Sequence, residues 1–302
     1  MFKKLFLGIT VSALFLGACG TDSTKEEPVD SETALEEKES ITVAVSGTVY
    51  PNAYHGEDGL TGYTVGIVDA VAEELGLDVE YMEFGVDGML TAAKSGQVDL
   101  IAEGITPSED QASGYLISEP IKYSVSSIVV RESDNSGIYS LDDFKGKKAA
   151  GESTTDYMQV SQTLGAEPVT YDNATADQYI LDVQNGRTDF IPNDYFVQLV
   201  TIGLFEDMDV KVGNVFFNPD TSHFVFNKDQ KELLEAFNET IQKFREDGTL
   251  SDLSKEFYSG HDVSVKRDEI NGIPFDEIPT LEPGASEEEI QSAIEKSLEL
   301  AQ

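Results

Sequence analysis

The sequence predicts an α/β protein with largely parallel sheets, and two observations carry that reading. Between Ile41 and Ala102 short β-branched runs alternate with stretches of helical period, the order that folds into strand-helix-strand units with helices laid on a sheet. Further along, Gly96-Gln97-Val98-Asp99-Leu100-Ile101 is echoed by Gly186-Arg187-Thr188-Asp189-Phe190-Ile191. In each copy a glycine stops a helix and an aspartate leads into a short apolar strand. The echo fits two related lobes, and it fits equally a common helix-to-strand connection used twice. Ligands of open α/β sheets bind beyond the carboxyl ends of strands, so the loops after Ile101 and Ile191 are candidate binding edges.

The first element is a leader. Lys3 and Lys4 precede an apolar run from Leu5 to Leu16, too short to span a bilayer as a helix, and Leu16-Gly17-Ala18-Cys19 closes it. This arrangement resembles a bacterial lipoprotein signal peptide, which implies removal of residues 1–18 and lipid attachment to Cys19 on the outer face of the cell membrane. The alternative is a small buried cysteine behind an ordinary signal sequence. Cys19 is the chain's one cysteine, so no intramolecular disulfide can form and stability must come from packing. Residues 19–40 are polar, acidic and nearly free of large apolar side chains, the composition of a flexible tether.

Folded structure is expected from Ile41. Ile41 to Val45 reads as a strand, and Val65 to Leu75 as a helix with Val68, Val71, Ala72 and Leu75 on one face and Gly76 at its end. Leu77 to Tyr81 is a second strand, Met89 to Lys94 a short helix stopped by Gly96, and Val98 to Ala102 a third strand. Leu233, Leu234, Phe237, Ile241 and Phe244 form an apolar helical face ending at Gly248. Ser286 with Glu289 makes a capping box before Ile290, Ala293, Ile294 and Leu298, so the C-terminus carries one more helix. Acids outnumber bases 57 to 20, a net charge of −37. They are spread along the whole chain as a solvated shell, which disfavours nucleic acid or an anionic lipid surface as partner.

Several segments, in this order and spacing, resemble the solute-binding proteins of family 3, the polar amino-acid receptors of ABC importers. They are Tyr50-Pro51, Leu60-Thr61-Gly62-Tyr63, Lys94 to Asp99, Gly104-Ile105-Thr106-Pro107, Ile117-Ser118-Glu119-Pro120, Leu141 to Lys147, Asn185 to Asp189, and Glu232 to Thr249. The resemblance covers about 41–262. It implies a two-lobed periplasmic-binding-protein-like fold (type II) with two hinge strands, near Lys122 to Ser126 and Phe216 to Asp220, and a ligand cleft between the lobes. Lobe one would comprise 41–121 plus 221–263, the hinges and lobe two 122–220, and the C-terminal extension 264–302. The implied protein is a monomer that hands a small amino acid or amine-bearing solute to a membrane permease, in a Gram-positive cell.

The resemblance also assigns ligand contacts. A closed cleft must pair both charges of an amino acid, because burying either alone is costly. The ammonium partner, five positions after the second-lobe aspartate, is Asp194; a solvated loop aspartate is the alternative. Thr106, after Gly104, supplies a hydroxyl and a neighbouring amide, and Ser153-Thr154 a hydroxyl pair at a helix start that favours an anion. Tyr50 is an aromatic wall or a core residue. The opposite wall maps near Val86, with Phe84 as a substitute. Where the family carries an arginine for the carboxylate, this chain has Gln111, a weaker neutral donor. Either the solute lacks that carboxylate, or holds it on Thr106, backbone amides and Ser153-Thr154, or another cation compensates; Lys122 is a candidate by sequence.

No phosphate-cradling loop, His/Glu/His metal pattern or nucleophile elbow is present, so neither cofactor nor metal is expected, and His223 reads as structural. Two other readings stand beside the receptor: a cyclohexadienyl-dehydratase-like enzyme on the same fold with Glu103 as general acid, and a sensory or interaction lipoprotein. The leader reading makes one direct prediction. Cys19→Ser should yield uncleaved precursor or protein released from its anchor, read by fractionation and mass; recovery of correctly processed, membrane-bound variant would overturn it.

Overall fold

A computed structural model describes residues 38–104, 113–153, 155–170 and 176–301. The leader, Cys19 and the tether therefore lie outside the described residues, as do Thr106, Gln111 and Thr154. Two sheets organise the chain. The first is built from β1 (Ser40–Val45), β5 (Asp78–Glu83), β6 (Leu100–Ile101), β7 (Tyr115–Ile117) and β14 (Val225–Asn227), in the order β5-β1-β6-β14-β7. The second has the order β10-β9-β11-β8-β12, with β8 (Lys122–Arg131), β9 (Lys148–Ala150), β10 (Glu167–Val169), β11 (Phe190–Asp194) and β12 (Val210–Val212). A small sheet of β2 (Thr48–Val49), β3 (Ala53–Gly56) and β4 (Gly59–Thr61) follows β1.

The internal echo is topological. Strands β5, β1 and β6 are parallel, as are β10, β9 and β11, and in both trios the first strand lies between the second and third. The echoed aspartates do the same work in each. Asp99 donates its N–H to Thr42 O at 2.9 Å and accepts the Thr42 N–H on Oδ2 at 2.8 Å. Asp189 donates to Lys148 O at 2.8 Å and accepts the Lys148 N–H at 2.9 Å. Each aspartate thus pins the third strand of its trio to the start of the first. The glycine three positions earlier, Gly96 or Gly186, takes the left-handed backbone that ends the preceding helix. Each sheet is only partly parallel, because strands returning across the molecule, β14 in one and β8 in the other, add antiparallel edges.

Helices cover both faces. On the first sheet, α1 (Tyr63–Leu75) buries Ile67, Val68, Val71 and Ala72 against Ile41 and Val43, and α6 (Lys231–Asp247) adds Leu233, Phe237, Ile241 and Phe244. The far face takes Met89, Ala92 and Ala93 of α2 (Val86–Ser95). Gly62 caps α1, and a Cβ there would fall 2.2 Å from Asn52 O, so only glycine fits. On the second sheet, Phe144, Phe190 and Phe217 stack with Met158 and Val160 of α3 (Asp156–Thr163), while α4 (Ala176–Gln184) covers the reverse with Ile180 and Val183.

Two strands connect the sheets. The first part of β8 pairs antiparallel with β13 (Phe217–Ser222), placing Lys122 opposite Ser222 and Ser124 opposite Asp220. Beyond Ser126, β8 enters the second sheet between β11 and β12. After α7 (Thr249–Phe257), the C-terminal segment leaves Val263, whose carbonyl accepts from Tyr123 N, and runs onto the second sheet. There Asn218 exchanges hydrogen bonds with Leu281, at 2.9 and 2.7 Å. The last helix, α8 (Glu287–Leu300), has the expected capping box at Ser286 and Glu289, buries Ala293 in the Phe144 cluster and accepts the Leu141 N–H on Ser297 Oγ at 3.0 Å. The extension is therefore part of a core. Leu281, 2% exposed, makes this measurable: Leu281→Ala should lower the unfolding free energy by about 2–5 kcal/mol in urea titrations, whereas a peripheral tail would show almost no change.

Candidate functional site

Alternation along the connecting ribbon sorts its side chains by face. Lys122, Ser124 and Ser126 of β8 point one way with their partners Ser222 and Asp220 of β13. That face looks toward the loops that end β6 and β11. Gly104, just after β6, has left-handed backbone, and a Cβ on it would stand 3.5 Å from Ser222 Cβ and 3.8 Å from Asn52 Nδ2. Asp194, the last residue of β11, closes the other side.

Asp194 is the centre of this arrangement. It caps α5 (Tyr195–Gly203), accepting the Val197 N–H on Oδ1 at 2.9 Å. Its Oδ2 accepts from Lys122 Nζ at 2.7 Å, with both side chains 7% exposed. Burial by itself pushes the Lys122 ammonium down, but the Asp194 charge, with Tyr157 and Asp220 behind it, outweighs this and holds the pKa above the ordinary lysine value. Burial first, and then the Asp194 charge, raise the Tyr157 phenol. The same two causes raise the Tyr258 phenol, whose hydroxyl donates to Asn52 Oδ1 at 2.6 Å. Ser124 is buried, and its Oγ has no partner among the described residues.

The structure brings Asp194, Lys122 and Gly104 to this face and places the other described candidates elsewhere. Tyr50 is partly buried, 4.9 Å edge-on to Tyr54 and packed against the first core. Phe84 packs on the α2 side with Met89. Ser153 is exposed and stands ahead of α3. That helix begins at Asp156, and its cap is Thr155, whose Oγ1 accepts from Met158 N at 3.3 Å. Glu103 is buried, and burial raises its pKa against two hydrogen bonds from Ser46, N–H to Oε2 at 2.8 Å and Oγ to Oε1 at 2.5 Å. Both oxygens tie the end of β6 to the end of β1. His223 bridges Ser118 O and Thr221 Oγ1 at 2.7 and 2.9 Å, a structural position. Ser124 and Asn52 escaped sequence reasoning. The alternation Lys122-x-Ser124-x-Ser126 was the available signal for Ser124.

A recess of about 780 Å³ along the ribbon is lined by Tyr123, Ser124, Asp220 and Thr221 and by the C-terminal Lys266, Arg267, Phe275 and Asp276, so it shares Ser124 and Asp220 with this face but not Lys122 or Asp194. It mixes charges of both signs without converging on Asp194. Among the described residues no cluster of histidine, cysteine and carboxylate side chains could hold a metal, and no helix is long and apolar enough to cross a membrane.

Comparison with known proteins gives one family, two relatives and two solved structures. The family model "bacterial extracellular solute-binding proteins, family 3" matches residues 41–260, leaving the C-terminal extension outside the match. The probable ABC transporter extracellular-binding protein YckB of Bacillus subtilis is 43% identical over 260 residues, 84% of this chain and 91% of that protein. Its crystal structure superposes with a TM-score of 0.73 at 44% identity, covering 79% of this chain and 97% of that one. The L-cystine-binding protein TcyA of Bacillus subtilis is 32% identical, over 86% of this chain and 97% of its own length. The L-cystine solute receptor of Neisseria gonorrhoeae, in its unliganded open conformation, gives a TM-score of 0.63 at 30% identity, covering 78% of this chain and all of that one.

The buried pair has a consequence for stability. Lys122→Met strands a buried carboxylate and should cost about 3–5 kcal/mol. Because the native lysine holds its proton more tightly than the unfolded one, the wild-type pair stabilises fully at neutral pH, and that contribution is lost as pH rises through the lysine range. Urea midpoints measured from neutral pH into alkali should therefore fall more steeply for wild type than for Lys122→Met; parallel curves would contradict the assignment.

Proposed function

Because this chain belongs to the bacterial extracellular solute-binding proteins of family 3, we propose that it is the substrate-binding component of an ABC importer, capturing a small amino acid or related zwitterionic solute between two lobes and delivering it to a membrane permease. Lobe one comprises 41–121 plus 221–263 and lobe two the segment between the hinges. The protein acts as a monomer held to the outer face of the membrane by lipid on Cys19. The observation that carries this reading is Asp194: a buried carboxylate at the carboxyl end of β11, facing the connecting ribbon, where a closing cleft would meet a solute's ammonium. One relative is named an L-cystine-binding protein and another an arginine-binding extracellular protein, so the solute class sought first is the α-amino acid.

The same geometry argues against catalysis. Glu103 has the raised pKa that a general acid needs, but both its oxygens accept from Ser46, so acting as an acid would require it to give up this clasp between strands. Tyr50, Gly104, Thr106, Gln111, Ser153 and Thr154 stay in the proposed contact set with Asp194.

A thermal-shift screen of residues 20–302 against amino acids, amines and betaines tests the proposal. At least one amino acid should raise the melting temperature, with an affinity of micromolar or tighter, about 8 kcal/mol, and Asp194→Asn should nearly abolish it. No shift with any solute would overturn the receptor reading; undiminished binding by Asp194→Asn would remove Asp194 from the site.

A further inference from the structure

The seat proposed for a solute's ammonium already holds one, because Lys122 Nζ lies 2.7 Å from Asp194 Oδ2. An ammonium has three donors, and among the described residues this one makes that single hydrogen bond. Of the four paired ribbon residues sharing this face, Lys122, Ser124, Asp220 and Ser222, Lys122 alone is basic. Two positions along, Ser124 is 2% exposed with a hydroxyl lacking any partner among the described residues. A buried hydroxyl of that kind is costly unless an acceptor reaches it. Lys122 and Ser124 thus stand two positions apart on one strand face, each with donor capacity that no described residue takes up.

We propose that Lys122 is a ligand-binding residue: the ammonium of an α-amino acid displaces it from Asp194, and its freed Nζ, together with Ser124 Oγ, takes the ligand's carboxylate. This rests on the amino-acid receptor reading and names the group that completes it. The exchange leaves no charge alone. One buried pair becomes two, ligand ammonium with Asp194 and Lys122 with ligand carboxylate. The four-carbon stem of lysine gives Nζ the freedom to change partners. An amine without a carboxylate would add a second cation beside Lys122, with Asp220 the one further carboxylate acting on it among the described residues, and should bind less well.

Isothermal titration with two probe pairs tests this: L-arginine against agmatine, and L-cystine against cystamine. Wild type should prefer each amino acid over its decarboxylated amine by roughly tenfold or more, the effect of a charged hydrogen bond. Lys122→Met should bring the ratio near unity, and Lys122→Arg should keep a preference. Should Lys122→Met not fold, Ser124→Ala provides the comparison, with a smaller loss confined to the carboxylate-bearing member of each pair. A preference that survives Lys122→Met, or an equal loss for both members in Ser124→Ala, would make the pair a purely structural one and overturn the proposal. Failure of wild type to bind any of the four probes while another class of solute binds would instead reject the amino-acid reading, and the proposal with it.

Discussion

Two charges buried against each other at the crossing between two sheets constrain everything around them. Lys122 and Asp194 are 72 positions apart in sequence, and each is held by an element that cannot shift freely. Lys122 opens the strand that leaves the first sheet, and its ribbon partner Ser222 sits beside Gly104. Asp194 ends a strand and begins a helix, giving one oxygen to the helix N-terminus and the other to the ammonium. Neither charge can be left unpaired in such a place without a penalty of several kcal/mol. The ribbon, the start of α5 and the loop after β6 are thus tied to one another by electrostatics as well as by packing. A solute that carries one charge of each sign can replace this pairing; a solute with one charge cannot do so evenly.

The C-terminal extension bears on the same crossing from another side. It starts beside the ribbon, just after Val263, whose carbonyl accepts from Tyr123 N, and Arg267 lies over the Phe196 ring, 4.7 Å from its centroid. Asn271 contacts Asn214 and Tyr195, and Leu281 and Ala293 then complete the core beneath the second sheet. This segment follows the part that matches the family model. Its contribution is to seal apolar surface of Phe144, Phe217 and Met158 that would otherwise face water.

Much of the scaffold was legible because local patterns encode it. The helical face through Val68, Val71 and Ala72, the glycine stops at Gly76, Gly96 and Gly248, and the capping box at Ser286 depend on spacings within a turn or two, and the structure has each of them. The echo of Gly96–Asp99 in Gly186–Asp189 was ambiguous in sequence, since one helix-to-strand connection looks like another; the matching bonds from Asp99 to Thr42 and from Asp189 to Lys148 give it a common physical cause. The antiparallel edges were not legible, because they join segments distant in the chain. The site was half legible. Asp194 could be placed by its offset from Asp189, and Lys122 stood out as a cation near the hinge, but their pairing depends on how β8 crosses to β11, a tertiary fact. Thr155, the cap of α3, adjoins the expected Ser153-Thr154 pair, and helix ends are placed by sequence only to within a residue or two.

The exchange of partners at Asp194 is the central claim, and a crystal structure of the protein with an α-amino acid bound reads it most directly. The account predicts the ligand nitrogen within hydrogen-bond distance of Asp194 Oδ2, and Lys122 Nζ moved from that oxygen to the ligand's carboxylate. A ligand held elsewhere, with Lys122 Nζ still 2.7 Å from Asp194 Oδ2, would contradict it.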